Sequence, residues 1–103
     1  MLDQAIVHYQ QIRAVAPADV ATLNNLSRLY VATEKWNEAI EVLQNLLTLD
    51  PTNYQHPLAL AQILQGLGQS ANALTYANQA LTLAPEDQKP VITQLIDTLN
   101  TGS

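Results

Sequence analysis

The sequence predicts an all-α chain, a stack of antiparallel helical hairpins built on one repeated unit. Two regularities carry this. Pro17, Pro51 and Pro85 lie 34 residues apart, and Ala5, Ala39 and Ala73 keep the same interval; a fixed period of this length marks one supersecondary unit stacked on copies of itself. Within each copy, apolar residues recur three or four positions apart, which sets them along one face of a helix.

Residues 1–17 read as a half repeat. Leu2, Ala5, Ile6, Tyr9, Ile12 and Val15 form its apolar side, and Pro17 stops the helix, because proline lacks an amide donor and restricts the residue before it. Leu2 aligns with Trp36, which opens the second helix of the next unit, so this half repeat lacks a first helix. That pattern suggests an excised piece of a longer protein, or a lone helix acting as a cap. The strip Ile6, Tyr9 and Ile12 is then expected to lie open and to support homo-oligomer formation through the N-terminal helix.

Residues 20–53 make the first full repeat. Its helix A carries Leu23, Leu26, Ser27 and Tyr30; its helix B carries Trp36, Ala39, Ile40, Leu43, Leu46 and Leu49. Residues 54–87 repeat the plan, with Pro57, Leu60, Ala61 and Leu64 and then Ser70, Ala73, Leu74, Ala77, Ala80 and Leu83. Gly66-Leu67-Gly68-Gln69-Ser70 falls at the handover between the two helices. It lacks the lysine and the preceding strand of a phosphate loop, and it reads as a glycine helix end.

The last helix is expected over 88–100. Glu86 and Asp87 precede it, where a helix N-terminus favours negative charge, and Pro90 sits in its first turn, where a missing donor costs little. Val91, Ile92, Leu95, Ile96 and Leu99 should turn inward, and Thr93, Gln94, Asp97 and Asn100 to water, as on a capping helix. Thr101, Gly102 and Ser103 read as a frayed tail.

At these residues the chain resembles the tetratricopeptide repeat (TPR) family. Leu23, Leu26, Ser27, Tyr30, Ala39, Leu43 and Pro51 fit the family pattern, as do Leu60, Ala61, Leu64, Gly68, Ala73, Ala80 and Pro85, and the half repeat fits at Ala5, Tyr9 and Pro17. It departs at Pro57, Ala77, Leu46 and Ile12. Pentatricopeptide, HEAT and armadillo repeats have longer periods and fit less well. The resemblance implies a right-handed alpha-alpha superhelix, the TPR solenoid, as a single domain of residues 1–103 ending in the capping helix. It also implies a protein-protein interaction module that binds a peptide segment or partner helix in a concave groove lined by helices A, as scaffold or assembly factor. A structural solenoid segment, self-associating or spacing a longer parent protein, is the alternative.

On the family's pattern the groove positions are Ala21, Asn24, Arg28 and Val31, then Gln55, Leu58, Gln62 and Gln65, then Lys89, Ile92 and Ile96. They are amide-rich with a few apolar points, a mixture suited to peptide backbone and side chains. No acidic residue stands among them and two are basic, so a neutral or acidic peptide is the expected ligand. The clamp by which some family members hold the carboxylate tails of heat-shock chaperones is absent. Asn24, Arg28, Ala59 and Thr93 replace four of its five residues, and Lys89 alone matches.

Other functions find no residues. Net charge is −5 and the four basic residues, Arg13, Arg28, Lys35 and Lys89, are scattered, which argues against nucleic-acid binding. Cysteine is absent, and no apolar run approaches the roughly 20 residues of a membrane span, so no membrane contact by this chain is expected and a soluble, cytoplasmic protein is the default. His8 and His56 stand alone and read as surface residues, so neither a metal nor a cofactor is expected. Ser27, Ser70 and Ser103 have no acid–base partners, and the pairs Glu38 with Glu41 and Glu86 with Asp87 sit on helix ends, so no enzyme is expected. Asn25-Leu26-Ser27 spells a glycosylation sequon, but two of its residues are packing positions.

Overall fold

The computed structural model describes residues 2–102. All secondary structure among them is helical: α1 (Leu2–Val15), α2 (Val20–Ala32), α3 (Trp36–Leu49), α4 (Gln55–Gly66), α5 (Ser70–Leu83) and α6 (Lys89–Gly102). They form two compact units, Met1–Asp50 and Pro51–Ser103. In the first unit α2 packs against both α1 and α3; in the second α5 packs against both α4 and α6.

Three-residue connections, 33–35 and 67–69, force α3 back along α2 and α5 back along α4. Both turns close the preceding helix in the same way. Gly68 N–H donates to the Gln65 carbonyl at 3.1 Å and Gln69 N–H to the Leu64 carbonyl at 2.9 Å. One repeat earlier, Glu34 N–H donates to the Val31 carbonyl at 3.1 Å and Lys35 N–H to the Tyr30 carbonyl at 2.8 Å. This paired arrangement needs a left-handed residue at its centre. Gly68 supplies it at φ 79°, but at the equivalent place Glu34 is held at φ 59°, against the preference of a residue with a Cβ.

Small residues set the spacing of the hairpins. Ala39, Ala61, Ala73, Ala77 and Ala80 are fully buried and Ser27 nearly so, so helix backbones approach closely where they lie. Leu23, Leu26, Val42 and Leu46 fill the first unit around them, and Leu60 and Leu64 the second. Pro57 is also buried; it lies in the first turn of α4, where its missing N–H breaks no helical bond. Asn53 serves that same end, its Oδ1 accepting from Gln55 N–H at 3.0 Å. At the start of α2, Thr22 Oγ1 donates to the Asp19 carboxylate at 2.6 Å.

The N-terminal helix is tied down more firmly than its sequence suggests. Ile6 is buried, Tyr9 and Ile12 are half-buried, and Gln10 Nε2 donates to the Tyr30 hydroxyl at 2.9 Å. Arg13 also reaches Glu41 of α3 at 3.5 Å. The strip expected to be open therefore faces α2 in part, and the apolar side chains exposed on α1 are instead Leu2, Val7 and Val15.

Four other expectations are corrected. Val15, Leu49 and Leu83, aligned with the packing residues, are exposed, because each lies in the last turn of its helix where the chain is already leaving its neighbour. Val91 is exposed rather than inward, since α6 packs on α5 by burying Ile92 and Leu99 and leaves the Val91 side outward. The helix does not fray at residue 100: it runs to Gly102, with Thr101 Oγ1 donating to the Asp97 carbonyl at 2.9 Å. Ser103, the end of the expected tail, lies outside the described residues. His56 is buried at the start of α4, not on the surface; it occupies the helix side next to buried Pro57 and Leu60.

Two stability changes are expected. Ala73→Leu should cost about 1–3 kcal/mol, the usual penalty for overfilling a tight contact, read as a lower denaturant midpoint. Glu34→Gly should raise stability by about 1 kcal/mol and Gly68→Ala lower it by about as much, since only the backbone preference changes; nothing lies within 4 Å of a Cβ built on Gly68.

Candidate functional site

The candidate residues fall on two separate faces, one in each unit. In the first, Asn24, Arg28 and Val31 follow a stripe along α2, four and three residues apart. The opposite side of α2 carries buried Leu23, Leu26 and Tyr30, and this packing turns the stripe outward. Ala21 and Arg28 are exposed, Asn24 is half-buried and Val31 is 39% exposed. Ser27 Oγ is turned back to donate to the Asn24 backbone carbonyl at 2.8 Å.

In the second unit, Gln55, Leu58, Gln62 and Gln65 form the equivalent stripe on α4. Gln55 and Gln62 are exposed; Leu58 and Gln65 are half-buried. Leu58 has a second role, because with Tyr54, Leu81 and Ile96 it packs around buried Ala80, Ala84 and Ile92. The apolar point of this face is thus the outer edge of the core that joins α5 to α6.

The α6 residues are only partly placed as expected. Ile92 is 1% exposed and is a core residue, seated against Ala80 of α5 and Ala84 just beyond it, so it lines no accessible surface here. Ile96 and Lys89 are half-buried, and Lys89 Nζ lies 3.3 Å from Glu86, so its charge is already engaged within the chain. Tyr54 is the residue that the sequence pattern missed. It precedes helix A, outside the repeat positions, and its only signal is its spacing four residues before Leu58, whose N–H bonds to its carbonyl at 3.1 Å.

The chemistry of these faces is that of amides, one guanidinium and small apolar patches. Among the described residues no group of three or more histidine, aspartate or glutamate side chains is placed to hold a metal ion, and no helix is long and apolar enough to cross a membrane. Trp36 is half-buried at the first turn of α3. Leu26 and Ser27 of the glycosylation-like triplet are buried inside α2.

Sequence profiles of the tetratricopeptide repeat match residues 22–53 and 58–87, the two hairpins α2–α3 and α4–α5. The chain belongs to the tetratricopeptide repeat family. Its fold is accordingly the all-α TPR solenoid. It is 38% identical over 74 residues, 72% of its length, to BBSome complex member BBS4 of Bos taurus, of which it spans only 14%. Among solved structures it is similar to MamA, with a TM-score of 0.86 and 22% identity over 98% of this chain and 54% of that one. It is also similar to PcrH, solved in complex with the chaperone binding region of PopD, with a TM-score of 0.88 and 15% identity over 98% of this chain and 80% of that one. A third similar structure is SycD of Yersinia enterocolitica with a peptide of the translocator YopD, at a TM-score of 0.88 and 16% identity over 98% of this chain and 81% of that one. At these identities the structural likeness is one of fold.

Proposed function

We propose that the chain is a protein-interaction module, a scaffold or assembly factor, that docks a peptide segment or partner helix on the outer face of α2 in the first unit and on that of α4 in the second, each face a docking surface by itself. The observation that carries this is the pair of outward stripes, Asn24–Arg28–Val31 and Gln55–Leu58–Gln62–Gln65. Each joins amide groups, which both donate and accept, to an apolar point. An amide can pair with a peptide N–H and C=O together, while Val31 and Leu58 give neighbouring side chains a dry contact. Lys89, at the start of α6 and paired with Glu86, is a further candidate for the second unit's face. Ile92, buried, is left out of the proposed surface. That PcrH and SycD were each solved with a segment of another protein supports the reading. On this reading the chain carries out no catalysis.

A second reading, self-association through α1, is favoured by the exposure of Val7 and Val15, at 51% and 85%. They lie eight residues apart, close to one side of the helix.

Each reading has its own measurement. A library of randomised decapeptides passed over the immobilised chain should be retained by the wild type. The variant Asn24→Ala, Arg28→Ala, Gln62→Ala should retain at least about tenfold less, the factor expected from a net loss of about 1.4 kcal/mol over several polar contacts. Equal retention, with both proteins equally folded by circular dichroism, would remove the docking reading. For self-association, light scattering at high concentration should give a mass above that of one chain, returning to one chain in Val7→Glu. A single-chain mass in the wild type would end the second reading.

A further inference from the structure

The docking reading leaves open which peptides are preferred, and the disposition of the four basic residues bears on that. Arg13 is engaged by Glu41 at 3.5 Å and Lys89 by Glu86 at 3.3 Å. Lys35 stands in the α2–α3 turn beside Glu34. Among the described residues Arg28, like Lys35 and unlike Arg13 and Lys89, is unpaired, but it lies on a helix face and not in a turn. It is exposed in the middle of α2, and among the described residues its guanidinium has no hydrogen bond or ion pair. The residues three and four positions away along the helix, Asn24, Asn25, Val31 and Ala32, are uncharged. The α2 stripe is therefore locally positive on a chain whose net charge is −5.

We propose that Arg28 determines specificity by pairing with an Asp or Glu side chain of an extended peptide, with an apolar residue of the same peptide resting on Val31. This rests on the docking reading. The guanidinium is planar and offers a fork of N–H donors that matches both oxygens of a carboxylate, and its charge strengthens each bond. Asn24, one turn earlier on the same stripe, adds an amide donor about 6 Å away along the helix axis. Val31 lies about 4.5 Å along the axis in the other direction, between the spacing of adjacent residues in an extended peptide, about 3.4 Å, and that of alternate ones. The apolar residue is thus one or two positions from the acid. No acidic residue stands three or four positions from Arg28 along the helix, and a pair in direct contact is screened by salt far less than charges more than about 8 Å apart. The α4 stripe, in the other unit, carries no charge and offers no such selection by itself.

A position-scanning version of the decapeptide library tests this, acetylated and amidated at its ends so that side chains are the only carboxylates. The wild type should retain peptides with Asp or Glu at one fixed position about tenfold over those with Asn or Gln there, the discrimination of one charge-assisted hydrogen bond. Arg28→Glu should invert the preference at that position to Lys or Arg. Lys35→Glu, the same charge change away from the stripe, should leave the preference for acid intact. Retention with no preference for acid in the wild type, or a preference that survives Arg28→Glu, overturns this inference alone. Retention of no peptide by the wild type overturns the docking reading and this inference with it.

Discussion

The structure depends on one constraint: helix backbones come together only where a side chain is small enough to let them. Ala39 in the first unit and Ala73 in the second are fully buried at the same place in the repeat, and Ser27 and Ala61 serve the facing helices. A close approach leaves space beside it, and Leu26, Leu46 and Leu60 fill that space. The pairing of small with large explains why a chain with no phenylalanine, no cysteine and one tryptophan still forms a packed interior. Most of the packing within each unit is local, between helices adjacent in sequence: α1 on α2, α2 on α3, α4 on α5 and α5 on α6.

The turns between paired helices obey the same geometry with different residues. Both close with the same two backbone hydrogen bonds, and both require a residue in the left-handed region. Gly68 meets the requirement without strain; Glu34 meets it because the hydrogen bonds and the hairpin it closes fix the backbone there. The first unit gives up some stability at this point, and the packing of α2 against α3 offsets it.

The outward faces follow from the inward ones. Once Leu23, Leu26 and Tyr30 are buried, the helical period leaves Asn24, Arg28 and Val31 on the opposite side; Leu60, Ala61 and Leu64 do the same for the α4 stripe. Function on such a scaffold resides in the residues that packing does not use. Basic groups elsewhere are engaged within the chain or sit in turns, so the charge character of the α2 face rests with Arg28.

The 34-residue period and the three-to-four spacing of apolar residues determined the helices, the hairpin turns and the family, because each is a local property of the chain. The family resemblance offered Asn24, Arg28, Gln55 and Gln62 as groove positions; in the structure Arg28, Gln55 and Gln62 are exposed and Asn24 is half-buried, since a helix that buries one side must show the other. Only the tertiary structure decided what the period cannot encode. Ile92 was expected both on the inward side of the last helix and among the groove positions, and the small side chains of Ala80 and Ala84 open a seat that buries it. Val91 and Val15 are apolar and in register but exposed, for burial needs a neighbouring helix as well as the right residue. His56 has no apolar signature and is buried all the same, and Lys89 meets Glu86 three residues earlier, a pairing that the period does not encode. Periodicity states which side of a helix a residue occupies; whether that side is covered depends on the helix lying against it.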